Sequence, residues 1–404
     1  MATIHFFNQP EQGHINPTLP LVAELIRRGD QVTYYSLEDF KPAIEHTGAT
    51  FQSYGEAYPF DHTRADENGF KVFLQLLQVS QLVLEHLLPQ IATEKPDYII
   101  YGQLAMWGQY IAQILHIPAI CSMPMFVLTP RLILTQPSLA LLRLRSLAVE
   151  RKIQATAANI SAQYHVKKLG IFDFAFNPRQ LNIVFTSKAF QPYANSFDES
   201  YKFVGSSIMK RLYAPNFPFD ALVKDKLLLY ISLGTIFNEQ FEFYRLCFDS
   251  FAQSNWQVVM SVGRNTLISS LGPIPTNFLV QNEVPQLEIL KRATLFISHG
   301  GMNSVSEALY YGVPLIVIPQ AGDQTWVARR VVQLGAGKLL HRSKIEAHSL
   351  RRLADEIISN SLFKQASASI GKSLRQAGGY VRAADEIEQF MRDQSAQHLE
   401  EKGN

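Results

Sequence analysis

Uninterrupted apolar runs of strand length alternate with longer stretches in which apolar residues recur every three or four positions, and the alternation repeats down both halves of the chain. The first pattern suits a strand buried on both faces and the second an amphipathic helix, so the chain is expected to form parallel α/β domains. In the first half, strands are predicted over Thr3–Phe7, Gln31–Ser36, Tyr98–Tyr101, Ala119–Ser122 and Asn182–Thr186. In the second they are predicted over Leu227–Ser232, Gln257–Ser261, Phe278–Gln281, Leu295–Ser298 and Leu315–Ile318. Each half reads as a doubly wound sheet. An aperiodic stretch holding Pro215 and Pro218 separates them, which places a first domain at 1–205, a linker at 206–225 and a second domain at 226–379. Residues Tyr380–Met391 have the period of an amphipathic helix, and the polar tail Arg392–Asn404 is expected to fray.

Composition narrows the partners. With 404 residues, 47% hydrophobic and 18% charged, the chain can bury two cores. A net charge of +2 without any Lys/Arg-rich run gives no electrostatic reason to bind nucleic acid, so the ligand is expected to be small. Cys121 and Cys247 lie in apolar surroundings without metal or redox spacing and read as buried thiols. The first residues lack a basic leader and read as a strand, not a signal peptide. No uninterrupted apolar segment of membrane-spanning length occurs, so no transmembrane segment is expected, and the cytoplasm is the expected location.

The most informative segment runs from Thr294 to Gln324. An apolar strand ends at Ser298; His299, Gly300 and Gly301 follow; then come Asn303, Ser304 and Glu307 on a helix, Gly312-Val313-Pro314, another apolar run, and Asp323-Gln324. Two glycines let backbone amides approach a ligand closely, and the helix behind them offers unpaired N–H groups and a positive dipole end, which together suit a diphosphate. A plain turn needs the glycines but not His299, Ser304, Glu307, Asp323 and Gln324 at these spacings. The segment closely resembles the donor-binding signature of family 1 UDP-sugar glycosyltransferases, in particular their bacterial macrolide glycosyltransferase group.

That resemblance implies a GT-B fold, two Rossmann-like domains facing an interdomain cleft, and a nucleotide diphosphate sugar as donor. It implies that His299, the amides of Gly300 and Gly301, Asn303 and Ser304 hold the diphosphate, that Glu307 holds the ribose hydroxyls, and that Asp323 and Gln324 hold the sugar. Physically, Glu307 could equally be a first-turn acid favouring the helix dipole, and Asp323 an N-cap. Ser232, Gly234 and Thr235 resemble the family's phosphate and sugar loop, and Gly263, Val284 and Gln286 its base-binding elements. Many relatives place a base-stacking Trp immediately before the Val-Pro-Gln triplet, and this chain has Glu283 there. No Asp-x-Asp pair or metal-ligand spacing occurs, so no metal cofactor is expected, and helix-terminal amides would carry the leaving-group charge.

In the first half, Gly13-His14-Ile15-Asn16-Pro17 follows the first strand, with Asn16 a candidate N-cap and Pro17 the first helical residue. It resembles the family's catalytic loop, which implies that His14 is the general base toward the acceptor hydroxyl. Relatives carry an aspartate that supports this histidine at the position of Gly102. Asp97 begins that strand and lies roughly 15 Å or more from its far end at about 3.3 Å per residue; Gln103 could orient the imidazole but not neutralise an imidazolium, which leaves Glu11 or an acid of the loop Asp61–Glu67 as substitutes. Apolar loops holding Phe60, Met106, Trp107, Met125, Phe126 and Leu128 suggest a small hydrophobic acceptor, although core packing would use the same residue types.

The expected function is therefore inverting, metal-independent transfer of a hexose, glucose in the first instance, from UDP to a hydroxyl of a hydrophobic natural product. Two alternatives stand beside it. Leu132–Arg151, with Arg143, Arg145 and Arg151, could be a basic helix on a membrane surface, as a lipid or carotenoid glycosyltransferase would need; a core-facing helix with solvated arginines would look the same. The loss of the acid at Gly102 would also suit a weakened relative that binds nucleotide sugar.

Overall fold

The computed structural model describes residues 1–59, 69–134, 147–170, 173, 181–211, 215–235, 239–320, 322–341 and 346–403. Phe60 and the acids of 61–67, Arg143 and Arg145 lie outside them. The chain divides into two compact units, Met1–Ser207 with Ala377–Asn404, and Ile208–Gln376.

The first unit is built on a parallel sheet of β1 (Thr3–Phe7), β2 (Gln31–Ser36), β3 (Thr50–Ser53), β4 (Tyr98–Gly102), β5 (Ala119–Met123), β6 (Leu181–Val184) and β7 (Tyr201–Phe203), in the order β3-β2-β1-β4-β5-β6-β7. The second has β8 (Leu227–Ser232), β9 (Trp256–Ser261), β10 (Phe278–Gln281), β11 (Leu295–Ser298), β12 (Leu315–Val317) and β13 (Gly337–Leu339), in the order β10-β9-β8-β11-β12-β13. In each sheet the winding direction reverses between two central strands, β1/β4 and β8/β11, and in such sheets ligands bind beyond the carboxyl ends at that reversal. Pairing puts Phe7 opposite Tyr101 and Ser232 opposite Ser298, so the loops leaving each pair emerge side by side.

Apolar side chains cover both faces of the first sheet. The helix Gly69–Glu94 is long and apolar enough to cross a membrane by length and composition, although Lys71, Gln75 and Glu85 interrupt its apolar run. Its residues Leu76, Leu77, Val83, Leu84 and Ile91 are core members, packed with the helices Met106–Leu115 and Leu147–Tyr164. The terminal helix runs Gly379–Gly403 without stopping at Met391, contrary to the frayed tail expected. Its first turns are anchored, with Ala383, Ala384 and Ile387 buried beside Leu21 and Val22, and Arg28 bridging Asp385 at 2.9 Å and Glu388 at 3.0 Å. Once nucleated on the core, a helix extends at little cost.

Candidate active site

Of the residues expected to hold the donor, Ser232, Gly234 and Thr235 end or follow β8 and His299 to Glu307 follow β11, its paired neighbour. At Gly300 the backbone takes φ +92°, and a Cβ there would come within 2.7 Å of Val317 Cγ1, so only glycine fits. The helix Met302–Tyr310 starts at Gly301, and no side chain caps it there. The first-turn amides therefore have no capping side chain at the point where Asn303 and Ser304 begin the helix. Gly234, at φ +83°, clears the His299 ring, since a Cβ at Gly234 would lie 2.7 Å from Cε1.

Burial holds the His299 imidazole down to about 4, only partly offset by its hydrogen bond to the Ser232 backbone. The ring is neutral at pH 7 and carries one N–H. Its Nδ1 is buried without a hydrogen-bond partner.

Glu307 is buried rather than a solvated first-turn acid. Its Oε2 accepts from Gln286 Nε2 at 2.7 Å, and its Oε1 pairs with Arg211. Gln286 Nε2 also lies 3.4 Å from Ser304 Oγ, and its Oε1 accepts from Tyr230 OH at 3.0 Å. The structure thus brings Ser304, Glu307 and Gln286 together, as a ribose and its phosphates would need. Arg211 is an unforeseen member: it lies in an aperiodic stretch, where no pattern marks a lone cation. Its guanidinium occupies the carboxylate much as a vicinal diol would.

Asp323 occupies the N-cap position of the helix Gln324–Gln333, yet its side chain does not cap it. Gln324 Oε1 accepts from the Gln320 amide at 2.8 Å, which closes the loop between them. Ser232 is buried, Thr235 is exposed, and Gly263, at φ +86°, joins the loop carrying Val284 through a bond from its amide to Asn282 O at 2.9 Å.

In the first unit, His14 sits on a one-turn helix, Gln12–Ile15, and is buried. The next helix begins at Leu19, not at Pro17, and Asn16 is not its N-cap; Thr18 turns the chain by bonding Ile15 O at 2.8 Å. Asn8, at the end of β1, fixes the loop: its Nδ2 donates to His14 O at 2.9 Å and to Tyr34 OH at 2.8 Å, and its Oδ1 accepts from Gln9 N at 2.9 Å. That Oδ1 fills the space a side chain at Gly102 would take. Among the described residues, Glu11 approaches His14, with Oε2 4.0 Å from Nε2 and Oε1 held by Gln9 Nε2 at 2.9 Å. Asp97 is occupied at the opposite end of β4, accepting from Thr3 N at 2.7 Å.

The apolar residues expected around an acceptor divide. Met106 and Trp107 belong to the core, where Trp107 Nε1 donates to Tyr54 OH at 3.1 Å, and Phe126 is buried against Phe190. Met125 and Leu128 stay half-buried. Alternating apolar patterns cannot tell a pocket wall from a core wall, because both exclude water.

Comparison with known proteins accounts for this arrangement. Residues 245–376 match the family described as Erythromycin biosynthesis protein CIII-like, C-terminal domain. The chain is 39% identical to the NDP-glycosyltransferase YjiC of Bacillus licheniformis, over 96% of this chain and 97% of that one. It is 35% identical to the uncharacterized UDP-glucosyltransferase YojK of Bacillus subtilis (strain 168), with the same two coverages. The solved glycotransferase of kitacinnamycin superposes with a TM-score of 0.84 at 29% identity, covering 96% of this chain and 98% of that one. A diphosphate-suited helix start on one doubly wound sheet and a buried histidine loop on another are thus the parts of a known enzyme type, and the chain belongs to the family 1 glycosyltransferases of GT-B fold, in their macrolide-type group.

Proposed function

We propose that this glycosyltransferase moves a hexose, glucose in the first instance, from UDP to a hydroxyl of a small hydrophobic natural product, with inversion and without a metal cofactor. One observation carries the donor half: Ser304, Gln286 and the buried Glu307 converge behind an uncapped helix start at Gly301. The names of two similar proteins, a UDP-glucosyltransferase and a glycotransferase of kitacinnamycin, support the choice of UDP-glucose and of a natural-product acceptor.

His14 takes the acceptor proton as the acceptor oxygen attacks the anomeric carbon, and UDP leaves from the opposite face. A buried histidine near neutral pH suits that role. The helix-terminal amides stabilise the charge growing on the diphosphate without reorganising. An arriving dianion also favours the imidazolium form of His299, which then donates to a phosphate oxygen. Glu307 exchanges Arg211 for the ribose hydroxyls.

Incubation with UDP-glucose and a panel of phenols, read by mass for a hexose increment and by NMR for a β-linkage, tests the reading. The product should form equally in the presence of EDTA. UDP binding with neither product nor UDP-glucose hydrolysis would refute transfer. His14→Ala is expected to lower turnover by about a hundredfold or more while UDP affinity stays within about twofold; an equal loss of both would place His14 in donor binding instead.

A further inference from the structure

β9 and β10 pair in parallel with Ser261 opposite Gln281, so the loops that follow, Val262–Thr266 and Asn282–Pro285, leave the sheet side by side at its carboxyl edge. Asn282 stitches them together: its Nδ2 donates to Gly263 O and Thr266 O at 2.7 Å each, and its carbonyl accepts from Gly263 N at 2.9 Å and Ser261 Oγ at 3.1 Å. On this braced rim, Arg264 Nε donates to Glu283 Oε1 at 2.8 Å. The Arg264 side chain is 73% exposed, against 35% for Glu283. A hydrogen bond through Nε lies in the plane of the guanidinium, so the carboxylate holds the group by its edge and leaves its flat faces open.

The rim adjoins the donor cluster. Glu283 and Val284 directly precede Pro285 and Gln286, and Gln286 bonds Glu307 and approaches Ser304. A nucleoside with its phosphates at Ser304 and its ribose at Glu307 has Gln286, and with it the loop of Glu283 and Val284, as a neighbour. Guanidinium planes stack on aromatic faces, and every nucleobase offers such a face.

Resting on the UDP-sugar reading above, we propose that Arg264, held edge-on by Glu283, is the platform on which the donor base stacks. Glu283 is then a positioning residue: it cannot stack itself, but it fixes the group that does.

Calorimetric titration with UDP and with ribose 5-diphosphate, which lacks the base, tests this. Arg264→Ala and Arg264→Lys should each weaken UDP binding roughly fivefold or more while leaving ribose 5-diphosphate binding unchanged, and Arg264→Trp should keep UDP affinity. Full UDP affinity in Arg264→Lys would mean that charge, not the plane, matters, and would overturn the proposal. Equal losses for both ligands, or no loss in Arg264→Ala, would overturn it too. Those outcomes leave the donor reading intact, whereas failure of the unaltered protein to bind UDP overturns both.

Discussion

Asn8 and Gly102 act as one unit: the amide that braces the His14 loop fills the room a side chain at Gly102 would take. Gly102→Asp alone is therefore expected to overpack the site, costing about 1–3 kcal/mol without raising turnover. Pairing it with Asn8→Ala vacates the space, so a double-mutant cycle on urea unfolding should show a coupling above about 1 kcal/mol; simple additivity would contradict the collision. His299 gives a pH dependence with a defined sign. Its folded value of about 4 lies below the ordinary 6.5, so under acid the unfolded chain takes up the proton first. Its contribution is constant above pH 6.5 and falls between about 6.5 and 4, by up to roughly 3 kcal/mol. Urea midpoints at pH 7.5 and 4.5 should fall further for the natural protein than for His299→Asn. Burial also lowers the His5 value, but that slope is common to both proteins and cancels.

Among the elements, the donor helix Met302–Tyr310 depends on the helix Ser361–Gln376 packed behind it. Gly371 permits the close approach, since a Cβ there would strike the Leu309 carbonyl oxygen. Gly371→Ala should thus push the donor helix outward, destabilising the unit by about 1–3 kcal/mol and weakening UDP binding, although residue 371 belongs to no binding motif. Unchanged UDP affinity in a folded variant would show that the helix tolerates the shift. The strands divide in a related way. Among the described residues, ten were legible as apolar runs, and the three that were not, β3, β7 and β13, all lie at sheet edges. Edge strands are short and covered on fewer sides, so their sequences need not be continuously apolar.

Across the whole molecule, the chain returns from the second unit to finish the first. Ile387 is fully buried against the first unit's core, so Ile387→Ala should cost about 2–5 kcal/mol. The loss should appear in the unfolding of that unit alone, followed by near-UV circular dichroism in urea; an equal shift in UDP-protected unfolding of the second unit would argue against separate units. The sequence by itself determined the two doubly wound sheets and the donor signature, because strand burial on both faces, a glycine turn and a helix start each leave a local mark at fixed spacing. Only the tertiary structure decided that Asn8 fills the place of a side chain at Gly102, that Arg211 sits on Glu307, that Glu283 braces Arg264, and that Trp107 is core. Each is a contact between residues distant in the chain, set by strand order and packing, and periodicity along a sequence does not encode which distant side chains share a space.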